Sequence, residues 1–132
     1  MKLSEAIRLG AMLKPQAFDD FTDGIGTCAW GAANEAIGLK ADGDPAIPRQ
    51  WWSLCNPPSE ACPECGIEFH NCCDAKDFDA CDCEDQCAPV SDVIVHLNDD
   101  HQWTREQIAD WVSTIEAAHD QAPAPVHEAV TA

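Results

Sequence analysis

Cys62-Pro63-Glu64-Cys65-Gly66 and His96-Leu97-Asn98-Asp99-Asp100-His101 bracket the stretch around which the rest of the chain is organised. Two residues between thiols let both sulfurs reach one ion, Pro63 presets the turn, and Gly66 admits the backbone conformation that follows. His96 and His101 have four residues between them, inside the range of paired imidazoles on one metal. Two soft thiolates and two imidazoles complete a tetrahedral set, and zinc is the ion that suits it. The competing reading of Cys62 and Cys65 is a thioredoxin-like redox pair. That motif wants a strand before it and a helix after it, whereas here further cysteines follow.

Thirty residues separate Cys65 from His96, where about a dozen is usual in a zinc finger. Residues 66–91 therefore read as an acidic, cysteine-rich insertion, with almost no aliphatic side chains to build a core. The insertion holds His70 and five cysteines, Cys72, Cys73, Cys81, Cys83 and Cys87. The cysteines are enough for a second zinc or, alternatively, an iron–sulfur cluster. A rival arrangement has one all-cysteine site, Cys62 and Cys65 with two of Cys81, Cys83 and Cys87, and leaves the histidines at the start of the next helix. The mixed site is preferred, because metal-linked folding rewards a site that ties that helix to the knuckle. Val93, Ile94, Val95 and Leu97 supply the apolar packing the histidine segment needs. Whether Cys55, His70 and Cys28 are also ligands stays open; Cys28 reads first as a small core residue.

Working outward, Trp103-Thr104-Arg105-Glu106-Gln107-Ile108 carries the strongest local signal. Thr104 and Gln107 fit a capping box, and Trp103 and Ile108 a hydrophobic staple. The helix they open should run to about His119, with Ile108, Trp111, Val112 and Ile115 on its apolar face and Arg105, Glu106, Asp110 and Glu116 elsewhere. Pro123 and Pro125 exclude a regular helix after it, and residues 120–132 read as a disordered tail.

Towards the start of the chain, residues 4–14 predict a helix with Ser4 as its cap and Leu3, Ala6, Ile7, Gly10, Ala11 and Leu13 as its stripe, ended by Pro15. Thr27 is expected to cap a second helix of small residues through Ile37, closed by Gly38. Gln16–Gly26 and Lys40–Gln50 read as loops. Trp51-Trp52-Ser53-Leu54-Cys55 reads as a strand or turn with one tryptophan buried and the other half-exposed; an exposed tryptophan would suit a partner anchor, but a core role for both is the preferred reading.

The 24 acidic against 7 basic residues leave a net charge of −17. A surface of that sign repels phosphate backbones, so the finger-like ligand pattern does not imply direct nucleic-acid binding. A protein partner with a basic surface is the expected one. Nine cysteines without a secretory leader point to a cytoplasmic protein with reduced thiols. No apolar run is long enough to span a membrane.

His96-Leu97-Asn98-Asp99, His101 and Trp103-Thr104-Arg105-Glu106-Gln107-Ile108-Ala109-Asp110-Trp111-Val112 resemble a group of small bacterial and phage-encoded proteins of uncharacterised function. Leu3-Ser4-Glu5-Ala6-Ile7-Arg8-Leu9-Gly10 and the segment Cys28-Ala29 with Gly31-Ala32-Ala33 are similar to the same group. The likeness covers about half the chain and implies a phage or bacterial origin, with the host cytoplasm as location, but no activity. The stretch from Cys72 to Cys87 does not match the group.

The expected fold is mainly α: three helices around a small core, with an irregular metal lobe between the second and third, in one zinc-stabilised domain over 1–119. The expected function is a non-enzymatic, zinc-binding, acidic interaction module. Two alternatives stand beside it. One is an inhibitor that mimics nucleic acid, and the other is a metal-dependent enzyme or iron–sulfur protein.

Overall fold

Leu3, Ala6, Ile7 and Gly10 recur at helical spacing, and all four are buried on one face of α1 (Leu3–Ala11). The structure is a computed structural model and describes residues 1–18, 26–39, 47–71 and 88–120. Its chain order is α1, α2 (Ala29–Ala36), a 3₁₀ turn (Arg49–Trp51) running into α3 (Trp52–Cys55), β1 (Ser59–Ala61), β2 (Glu68–His70), α4 (Pro89–Asp99) and α5 (Arg105–Asp120). The fold is mainly helical, but among the described residues it has five helices and a two-stranded sheet rather than three helices and an irregular lobe.

Helices α1 and α2 touch through their backbones. A Cβ on Gly10 would lie 1.8 Å from the Ala32 carbonyl oxygen, so only glycine allows this approach. Ala29, Ala32 and Ala33 are buried opposite it. The Gly38 backbone, at φ 88°, closes α2 as expected, with Gly38 N–H donating to the Glu35 carbonyl (3.0 Å) and Leu39 N–H to that of Asn34 (2.9 Å).

Helix α5 lies against α1. Ser4 donates to the Glu116 carboxylate through both its N–H and its hydroxyl, and Arg8 pairs with Asp110 at 2.6 Å. Ser4 is thus not the cap of α1: the helix starts one residue earlier, with Lys2 at the cap position, and Ser4 is buried against α5. The first helix also stops at Ala11, short of the expected Lys14, and Leu13 is exposed. The buried Arg105 guanidinium explains that end, because it donates to the Ala11 (3.3 Å) and Lys14 (2.6 Å) carbonyls and so satisfies the terminus.

The same guanidinium donates to Thr27 Oγ1 at 3.0 Å. Thr27 sits in a parallel bridge with Gln16, and the cap of α2 is Cys28, whose sulfur accepts from Gly31 N–H at 3.4 Å. Arg105 and Glu116, expected away from the apolar face, are both buried for these reasons.

Pro89 opens α4, where its missing N–H costs nothing, and Val90, Val93, Ile94 and Leu97 form a buried stripe. Burying each such side chain contributes roughly 1.5–3 kcal/mol. Helix α5 starts with the expected capping box: Thr104 N–H donates to Gln107 Oε1 (2.9 Å) and Gln107 N–H to Thr104 Oγ1 (3.1 Å). Trp103 is partly buried and packs against the core cluster to which the fully buried Ile108 belongs. Trp51 is buried and Trp52 half-buried, on helical turns rather than a strand. Among the described residues no helix is long and apolar enough to cross a membrane.

Strands β1 and β2 pair antiparallel, with Glu60 opposite Phe69. Glu68–His70 and Pro89–Ser91, the described ends of the expected insertion, thus belong to the hairpin and to α4. Residues 72–87, with Cys72, Cys73, Cys81, Cys83 and Cys87, and the tail from 121 lie outside the described residues. So do Asp19–Ile25 and Lys40–Ala46 of the expected loops.

Candidate metal centre

The turn between β1 and β2 delivers both thiols. Cys62 N–H donates to the Ile67 carbonyl and Gly66 N–H to that of Cys62, each at 2.9 Å, and Gly66 takes a positive φ of 78°. This curls Pro63-Glu64-Cys65 into the knuckle expected from the spacing. Helix α4 packs on the hairpin, with the Phe69 ring 5.5 Å from that of His96.

His96 stands in the last turn of α4 and His101 just beyond it. Gln102, at φ 53°, turns the chain back, and Trp103 N–H returns to the Leu97 carbonyl at 2.9 Å. His101 thereby faces the knuckle beside His96, with ring centroids 4.5 Å apart. The histidines end α4, so the reading that made them helix-start residues does not hold. The thiols thus stand on the hairpin and the imidazoles at the end of the helix that follows among the described residues.

One ligand atom from each of Cys62, Cys65, His96 and His101 lies within 4.8 Å of all the others, a Cys2His2 group spaced to share one metal ion. Cys65 Sγ is 3.3 Å from His96 Nε2. Each imidazole is held at its other nitrogen by a carboxylate: His96 Nδ1 lies 2.7 Å from Asp100 Oδ2, and His101 Nδ1 lies 3.2 Å from Glu64 Oε2. His101 Nε2 is buried and has no hydrogen-bond partner among the described residues. An orphaned buried nitrogen costs roughly 1–3 kcal/mol, and a metal ion would satisfy it.

Carboxylates at the far nitrogen fix the tautomer of a ligating histidine and raise its basicity. Sequence reasoning assigned Glu64 and Asp100 no part in the site. Their positions carried the signal, since Glu64 lies between the two thiols and Asp100 one helical turn from His96.

Among the described residues, the remaining cysteines, Cys28 and Cys55, and His70 stand apart from this group. Cys55 is fully buried in the core, and burial pushes its thiol up to about 12. Cys28 caps α2, and burial raises its thiol as well. His70 is exposed on β2, 3.6 Å from Glu68.

No protein-family model, curated protein or solved structure matches the chain. What fold and site define is a mainly helical protein with a Cys2His2 group set where a β-hairpin meets a helix.

Proposed function

We propose that Cys62, Cys65, His96 and His101 hold one zinc ion as a structural clamp, and that the clamped fold serves as a non-enzymatic protein-interaction module. The observation that carries this reading is the buried His101 Nε2, without a partner among the described residues, whose ring is held by Glu64 beside the thiols. The donor set suits zinc, being two thiolates and two imidazoles in reach of one tetrahedral ion. Four protein ligands leave no open position for substrate, which favours a structural over a catalytic metal. The clamp would join the hairpin, α4 and the start of α5. The −17 charge favours a partner with a basic surface, met at rates that fall with ionic strength. A phage or bacterial origin belongs to the same proposal.

Elemental analysis tests the clamp. The His96→Ala, His101→Ala double variant should hold one zinc fewer per chain than the wild type. If it keeps the full wild-type content, the imidazoles are not ligands and the proposal fails. For the interaction, candidate partners retained on the immobilised protein at low salt should be basic and released as salt rises. Retention insensitive to salt would remove the electrostatic part.

A further inference from the structure

The two thiols of the knuckle differ sharply in access. Cys62 is 3% exposed and belongs to the core cluster, whereas Cys65 is exposed. The sulfurs are nevertheless within 4.8 Å of each other, close enough to join after a small movement of the turn. In a zinc site both are held as thiolates, the reactive form, and only one of them meets solvent. Cys28 and Cys55 offer no competition, because burial keeps both protonated.

Resting on the zinc reading above, we propose that the centre is a redox switch in which a hydroperoxide oxidises Cys65 first, Cys62 resolves it to a disulfide, and the metal is released. In the first step the Cys65 thiolate attacks the outer peroxide oxygen. The S–O bond forms, the O–O bond breaks, and the departing alkoxide or hydroxide takes a proton from water. Cys65 is then a sulfenic acid, and the peroxide has taken up two electrons. In the second step the Cys62 thiolate attacks the Cys65 sulfur. The S–S bond forms, the S–O bond breaks, and hydroxide leaves to be protonated. Both anionic ligands are consumed, and the two imidazoles alone hold zinc weakly. Release would remove the tie between the thiols and the imidazoles, leaving the Glu64 carboxylate alone to hold the knuckle to His101 and Trp103. A reductant of the dithiol class reverses the disulfide and permits reloading.

The test uses the full chain with its zinc content measured first. Hydrogen peroxide is added, zinc release is followed with a chromophoric chelator, and disulfides are located by peptide mapping. The expected result is a Cys62–Cys65 disulfide formed in step with zinc release, two thiols lost per ion, and recovery on adding dithiothreitol and zinc. A Cys28→Ser, Cys55→Ala double variant should release zinc within about twofold of the wild-type rate, because those thiols are shielded. If peroxide leaves Cys62 and Cys65 as thiols, whatever happens to other cysteines, the switch is overturned. A chain that carries no zinc before peroxide is added instead overturns the clamp itself, and that outcome is read independently.

Discussion

Glu64 Oε2 accepts a hydrogen bond from Trp103 Nε1 at 2.6 Å, so the turn that carries the thiols is tied directly to the residue that precedes α5. The same oxygen faces His101 Nδ1 at 3.2 Å. One carboxylate thus joins an imidazole of the Cys2His2 group to the tryptophan at the entry to α5.

Glu64→Ala should lower zinc affinity by about 10–100-fold, the usual cost of removing a carboxylate behind a ligating histidine. Competition with a chromophoric chelator measures it. An unchanged affinity would show that Glu64 orients nothing.

Arg105 has four neutral oxygens around it: the carbonyls of Ala11, Lys14 and Thr27, and the Thr27 hydroxyl. Truncating it takes this donor from the Ala11 and Lys14 carbonyls and the Thr27 hydroxyl, while the Thr27 carbonyl keeps its bond from Ala17 N–H. Arg105→Met should destabilise the fold by about 3 kcal/mol in urea denaturation. Arg105→Lys should recover less than half of that, since one ammonium cannot span the same acceptors. Full recovery by lysine would mean that charge alone matters there.

Gly10→Ala drives a methyl into the Ala32 carbonyl and should cost at least about 2 kcal/mol, despite the better helix propensity of alanine. Gly38→Ala meets nothing within 4 Å and carries only the strain of a positive φ, about 1 kcal/mol. Thermal melts of the two variants should keep that order.

Cys55 has its thiol pushed from 9.0 up to about 12 by burial, so the folded chain keeps this proton longer than the unfolded one. Its contribution is fully present below pH 9 and is lost as pH rises from 9 to about 12. Wild-type stability should therefore fall more steeply over that window than that of Cys55→Ala, which lacks the proton. Parallel slopes in alkaline urea titrations would contradict the assignment.

The parts legible from sequence were those whose chemistry is local. Thr104 and Gln107 announce a helix start by themselves, Gly38 its end, and Cys62 and Cys65 with Gly66 the knuckle. The hairpin was not legible, because Ser59–Ala61 and Glu68–His70 are three residues each, too short for an alternating pattern. Helix α4 was hidden for a different reason: Val93, Ile94, Val95 and Leu97 read as an apolar run, and the helical spacing of Val90, Val93, Ile94 and Leu97 went unused. Ser4, Arg105 and Glu116 were misplaced because their partners are remote, Glu116 being 112 positions from Ser4. Polarity put them outside, and tertiary hydrogen bonds hold them inside.

Asn71 N–H is fastened to the Pro58 carbonyl at 2.9 Å, and Ala88 is 1% exposed at the foot of α4. The hairpin and the helix are therefore each anchored before residue 72 begins and after residue 87 ends. Both flanks of residues 72–87 are thus held by contacts within the described framework, which fixes where that segment leaves the hairpin and where it rejoins the helix.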